Sequence, residues 1–219
     1  MIRSFKVLGL LVVAALAMSA AIASSASAEV TFTCSSYECK ATGSNTLGNE
    51  KFTTEAGTVE CDSHFVVEEK GTEIGTGIQA ASKEVTVTAS YTGCVAFGFL
   101  GASVSMEGCD YLFTATEKVA LNVYKHHVNV VCPAGKSIKI VAGTCEALVG
   151  AQTGLTTAKS TNLAGGTVTV QPEVANIALT VTKDGIGCPF SGTGAKTGSY
   201  HGDVVISRIG GGNISVSGE

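Results

Sequence analysis

Apolar and polar residues alternate along the chain in short stretches. In 58–68, Val59, Cys61, Phe65 and Val67 share one parity while Glu60, Asp62 and His64 take the other. In 85–92, Val85, Val87, Ala89 and Tyr91 alternate with Thr86, Thr88, Ser90 and Thr92. The stretches 137–141, 167–170 and 177–183 repeat the arrangement, with Ile138 and Ile140 together in the first and Ile177, Leu179 and Val181 in the last. Side chains alternate across a strand with period two, so each stretch predicts a strand with one wet and one buried face. No stretch after residue 28 carries apolar residues at helical spacing, and 143–158 is the one place where a helical turn is expected. The segment 119–132 changes phase: Val119, Leu121 and Val123 are odd-numbered, whereas Val128, Val130 and Cys132 are even-numbered. One straight strand cannot bury both sets, so a bulge, a turn or a crossing between sheets is expected near Lys125-His126-His127. Glycine clusters at 71–77, 98–101, 185–187, 192–198 and 210–212 predict the other turns. About a dozen short strands point to an all-β fold, a β-sandwich or barrel-like domain over 29–219. Two β units meeting near Thr116 are the alternative.

The first 28 residues follow a different rule. Arg3 and Lys6 precede the apolar run 7–23, and Ala26-Ser27-Ala28 places small side chains where a signal peptidase requires them. Residues 1–28 are therefore expected to be a cleaved signal peptide, leaving 191 of the 219 residues as a secreted, extracellular domain with no membrane span. All eight cysteines fall in that portion: Cys34, Cys39, Cys61, Cys94, Cys109, Cys132, Cys145 and Cys188. An even number in an exported chain reads as a disulfide framework. No C-x2-C spacing supports a zinc site. Proximity in sequence favours Cys94–Cys109 and Cys132–Cys145, and leaves the pairing of Cys34, Cys39, Cys61 and Cys188 open.

Composition narrows the partners. Charged residues make up 15%, and the net charge is −4, or −6 once the two positive charges of Arg3 and Lys6 are removed. Phosphate backbones are held by clustered lysine and arginine, so nucleic acid is not an expected partner. A hydrophobic content of 45% is too high for a disordered chain. There is no tryptophan, the usual platform for a sugar face.

Candidate chemistry is sparse. Gly135-Lys136-Ser137 lacks the first glycine of a phosphate loop, because position 130 is valine, and reads as a turn into the Ile138–Ile140 strand. Gly75-Thr76-Gly77-Ile78-Gln79-Ala80 matches a loose dinucleotide pattern without the helix it needs. Glu60, Asp62 and His64 lie on one strand face at a spacing that two metal ligands could share, yet a charged outer face is ordinary for a half-wet strand. Five Thr-x-Thr triplets occur at irregular intervals, which suits wet strand faces better than a repeating surface such as ice. His201 and Asp203 would share a face of an extended segment, but no G-x-S-x-G elbow supplies a nucleophile. His126 and His127 are adjacent, so in a strand they face opposite ways and cannot chelate together. His64 is expected to point to water, His126 and His127 to sit at an exposed edge, and His201 to lie beside a flexible loop.

Tyr91-Thr92-Gly93-Cys94, Gly108-Cys109-Asp110-Tyr111, the run from Cys132 through Pro133 and Gly135 to Ile138, and Gly187-Cys188 ahead of Tyr200-His201-Gly202 resemble signatures of a known group. These are small secreted, cysteine-containing, β-rich proteins of Thermoleophilia-type Actinobacteria, and the resemblance spans most of 58–216. It implies a β-rich secreted domain and carries no activity, cofactor or functional residue to this chain. The expected function is that of a non-catalytic secreted β-domain acting in surface interaction or as an extracellular or envelope component, without a cofactor. The alternative is a secreted hydrolase or metal-dependent enzyme using His64, His126, His127 or His201 with a carboxylate.

Overall fold

In the computed structural model, residues 29–35, 40–68 and 80–218 are described. The expected signal peptide, Cys39, the 71–77 glycine cluster and most of the Gly75–Ala80 motif lie outside them. The described chain is all β. Its strands are β1 (Thr31–Cys34), β2 (Lys40–Thr54), β3 (Gly57–Glu68), β4 (Ala80–Ser82), β5 (Glu84–Ala96), β6 (Leu100–Ser105), β7 (Asp110–Ala120) and β8 (Val123–Val131). They continue as β9 (Ile138–Ala142), β10 (Cys145–Val149), β11 (Gln152–Leu163), β12 (Thr167–Asp184), β13 (Gly194–His201), β14 (Val204–Arg208) and β15 (Ile214–Ser217). The helical turn expected in 143–158 is absent: that segment forms β10 and most of β11. It holds no complete apolar turn, and both strands find antiparallel partners.

The antiparallel ladders close on themselves twice. One ring runs β5–β3–β2–β14–β12–β11–β8–β7 and returns to β5. A second runs β5–β6–β9–β10–β12–β13–β2–β3. Closure removes the exposed strand edges that would invite aggregation. The long strands β2, β3, β5 and β12 belong to both rings. β2, for example, pairs with β14 through Ala41–Ser44 and with β13 through Lys51–Thr54. The barrel-like alternative therefore describes the fold, and Thr116, where two β units would meet, lies inside β7.

Where the rings meet, three of the four shared strands change phase. On β5, Val87, Ala89 and Tyr91 face inward with odd numbers, then Cys94 and Ala96 with even ones, and the register slips opposite Glu60–Asp62. Gly93 makes the slip with a φ of 58°, a conformation glycine adopts without steric penalty. On β12 the inward set passes from Val168 and Val174 to Ile177, Leu179 and Val181. Asn176 takes a φ of 57° there, and asparagine is the side chain best suited to that region after glycine. On β2 the ladder to β3 is interrupted between Asn45 and Glu50, and the inward set passes from Ala41 and Gly43 to Glu50 and Phe52. These irregularities re-aim side chains at one level of the molecule. That level is the waist between the rings.

A separate three-stranded sheet, β15–β1–β4, packs its apolar side on the first ring: Val30, Cys34, Ile214 and Val216 join one buried cluster with Phe65, Val87, Tyr124, Val168 and Ile206. Asn162 of β11 fastens it, donating from Nδ2 to the Val216 carbonyl at 2.7 Å and accepting the Val216 N–H at 2.8 Å.

The disulfides are Cys61–Cys94, Cys109–Cys132 and Cys145–Cys188, and Cys34 is also disulfide-bonded. The expected pairs Cys94–Cys109 and Cys132–Cys145 are not formed. Nearness in sequence was the wrong guide, because bridges join residues that pairing brings level. Cys61 and Cys94 face each other across the β3–β5 ladder, and Cys109 and Cys132 flank the Asp110–Val131 pair that ends the β7–β8 hairpin. The irregularity expected near Lys125-His126-His127 is present as register shifts in both ladders of β8, at Ala115–Glu117 of β7 and Thr156–Ala158 of β11, but the phase change in 119–132 has another origin. Leu121 and Asn122 form the hairpin turn, with Asn122 at a φ of 60°, and β8 runs unbroken from Val123. Val119 and Leu121 are exposed at that turn. Much of the expected 192–198 loop is strand, since β13 begins at Gly194.

Candidate functional site: an apolar cavity with two polar clusters

The inward faces line a cavity of about 160 Å³. Its wall is mostly apolar and draws on both rings and the small sheet: Phe32, Phe65, Val85, Phe113, Val128, Val149, Leu155 and Val216 are among its lining residues. Of the polar groups in that wall, two sets stand out, one holding His126 and the other Glu50 with Tyr91, Tyr111 and Tyr200.

His126 is 3% exposed on β8, mid-strand and inward, not at the exposed edge expected of it. Tyr124, Val128 and Val130 share its parity and are buried with it, while His127 faces out. The His126 ring stacks on Phe32 at 5.0 Å between centroids and meets Phe113 edge-on at 6.5 Å. Its Nε2 lies 2.6 Å from Oγ of Ser160, itself 1% exposed on β11. Nδ1 is buried and has no hydrogen-bond partner. Burial pushes the imidazole pKa down to about 4, so the ring is neutral at pH 7 and carries one proton. Whichever nitrogen holds it, Nδ1 is left as an unmatched donor or an unmatched acceptor. A buried polar atom in that state costs about 1–3 kcal/mol.

Glu50 is 2% exposed, turned inward by the irregularity on β2. Its Oε2 accepts the Tyr200 hydroxyl, its Oε1 accepts Asn45 Nδ2 at 3.4 Å, and the Asp203 main chain adds a further hydrogen bond. A Cβ at position 202 would collide with Glu50 Oε2, so Gly202 is a condition of this placement. The Tyr91 hydroxyl lies 3.1 Å from that of Tyr111 and 3.5 Å from that of Tyr200. Each phenol has one proton. With Glu50 ionised, all three contacts are made only if Tyr111 donates to Tyr91, Tyr91 to Tyr200, and Tyr200 to Glu50. The Tyr111 oxygen then ends the chain with lone pairs to offer. Burial raises the Glu50 pKa against the lowering effect of its hydrogen bonds, and burial also pushes Tyr111 up to about 12 and Tyr91 and Tyr200 well above the ordinary phenol value.

The other candidates lie on the outer surface. Glu60 is engaged by Lys51 at 3.1 Å, and exposed His64 has Nδ1 3.3 Å from the Gly43 carbonyl oxygen. No group of three or more His, Cys, Asp or Glu that could hold a metal occurs among the described residues. His201 and Asp203 flank Gly202 on the exposed turn between β13 and β14, where Asp203 Oδ2 accepts Gln171 Nε2 at 3.4 Å. Gly135 turns the chain into β9 with a φ of 72°, and Lys136 donates its N–H to the Pro133 carbonyl, as a plain turn does.

His126 with Ser160 is the arrangement nearest to hydrolase chemistry. A nucleophile and a base are within reach, but the base lacks the carboxylate that orients it in a triad, since its second nitrogen is unpartnered. Sequence reasoning missed this pair and missed Glu50 with its tyrosines. The signal for His126 was present, because its parity matches Val128 and Val130. For Glu50 no alternation was legible, since 46–49 interrupt the pattern. No family model, curated protein or solved structure matches the chain.

Proposed function

We propose that the protein is a non-catalytic, secreted binding protein whose site is this interior cavity, and that its ligand is a small, largely apolar molecule bearing a polar group. The reading shifts the expected surface interaction to the inside of the barrel. The observation that carries it is the unpartnered Nδ1 of His126 in an aromatic and aliphatic cavity wall, where a polar group on a ligand would supply the missing hydrogen bond. Few, convergent polar groups in an apolar pocket are the ordinary composition of a small-molecule site. The volume limits the guest. A cavity of about 150 Å³ lined by aliphatic and aromatic side chains takes up benzene, so a single ring with one short substituent is the expected scale.

Benzyl alcohol is a suitable probe, because its hydroxyl both donates and accepts. Three of the five tyrosines line the cavity and there is no tryptophan, so tyrosine emission reports on occupancy. Titration should change that emission saturably and raise the Tm. At 100 times the Kd, stabilisation of about 2.7 kcal/mol is expected. A flat emission titration with no thermal shift at millimolar concentration would remove the proposal.

A further inference from the structure

We infer that the polar group of the ligand is a cation, and that the cavity selects small organic amines through Glu50, Tyr91, Tyr111 and Tyr200. This rests on the cavity being the binding site, and it names the chemistry of one of its polar groups. Glu50 is the one buried carboxylate among the described residues, and none of the ion pairs among them includes it. Its hydrogen bonds come from neutral donors: a phenol, an amide and the main chain. Apart from an electrostatic pull from exposed His201, the smallest of the effects on it, Glu50 has no cation beside it; a carboxylate so withdrawn from water is costly, and the cost is reduced when a cation arrives with the ligand.

The surroundings fit an ammonium better than any other group. With every phenol proton directed toward Glu50, the Tyr111 oxygen presents only lone pairs, so the incoming group must be a hydrogen-bond donor. An ammonium supplies up to three donors and no acceptor. The rings of Phe52, Tyr91, Tyr111 and Tyr200 line the same cavity, and aromatic faces attract cations through their quadrupole. A carboxylate or phosphate ligand would instead meet Glu50 with like charge and find no cation opposite. The apolar part of the amine would extend along the wall formed by Val128, Leu155 and Phe113.

Three probes of matched shape separate the possibilities: benzylamine, benzyl alcohol and benzoate, each titrated calorimetrically into the full protein and into E50Q. For the wild type, benzylamine should bind about tenfold or more tightly than benzyl alcohol, with benzoate weakest. In E50Q, which can still accept from Tyr200, benzylamine should lose about tenfold in affinity while benzyl alcohol changes little. If benzyl alcohol binds as well as benzylamine, or E50Q leaves benzylamine unchanged, the amine assignment falls and the cavity site stands. If none of the three binds the wild type, both fall. The wild-type ranking needs no variant, and Y111F gives a second test should E50Q fold poorly: it keeps the ring, removes the terminal acceptor and should weaken benzylamine selectively.

Discussion

Reduction of the disulfides should unfold the protein. The bridges 61–94, 109–132 and 145–188 close three consecutive loops that neither overlap nor nest, with sequence separations of 33, 23 and 43 residues. Each removes freedom from a different part of the unfolded chain, so their effects should be close to additive. In the chain-entropy description, loops of these lengths contribute about 3–4 kcal/mol each. Domains of this kind are stable by about 5–15 kcal/mol in all, so losing the set removes most or all of the margin. The check is a guanidinium unfolding curve with and without dithiothreitol, followed by far-ultraviolet dichroism. A paired C145A/C188A variant should lose more than C109A/C132A, in the order of loop length. A reduced protein with the midpoint of the oxidised one would contradict this account of the fold.

Acidification should destabilise the protein between about pH 6.5 and pH 4, through His126. The folded-state pKa is depressed by burial to about 4 from the ordinary 6.5, so the unfolded chain binds more protons across that window. Stability therefore rises with pH through the window and falls as pH drops through it. A shift of that size corresponds to about 3 kcal/mol at the acid end. Glu50 acts in the opposite sense: its pKa is raised, so it costs stability as pH climbs above 4.5. Glu146, lowered to about 2 by Lys183, Thr182 and Lys139, adds a further loss only below 4.5. The contributions separate with a double variant, H126F/S160A, which keeps a ring beside Phe32 and Phe113 and leaves no orphaned hydroxyl. Its stability should lose the rise from pH 5 to 6.5 that His126 gives the wild type, and keep only the opposite slope of Glu50. An equal slope in both proteins would show that His126 is not held neutral by burial.

These two results draw on parts of the molecule that differ in how far the sequence reveals them. The strand faces were legible wherever one parity stayed apolar: Val59 through Val67 and Val85 through Tyr91 pack as their alternation predicts. The closure into two rings was not, because pairing of β5 with β7 or β10 with β12 leaves no local mark. Phase changes proved ambiguous signals. The one noticed, in 119–132, is a hairpin turn, whereas those at Gly93 and Asn176 are bulges within continuous strands. Each bulge divides a strand into two stretches that read as separate elements. The polar interior was hidden for the same reason, since Glu50 and Tyr91 acquire their neighbours only where the bulged strands cross the waist. A buried histidine followed by an exposed one needs only the parity of β8 to be assigned, and that information was in hand.

The central claim is that the interior is a binding site, and filling it is the direct test. Val128 lies 5% exposed in the cavity wall, two residues from His126 on the same face of β8. V128F adds a ring to space that is otherwise open, at a cost in overpacking of about 1–3 kcal/mol or less where the void accepts it. Calorimetric titration of benzyl alcohol into wild type and V128F, with dichroism to confirm that both are folded, should show saturable binding to the first and none to the second. Equal affinity in both proteins would place the ligand elsewhere and contradict the account.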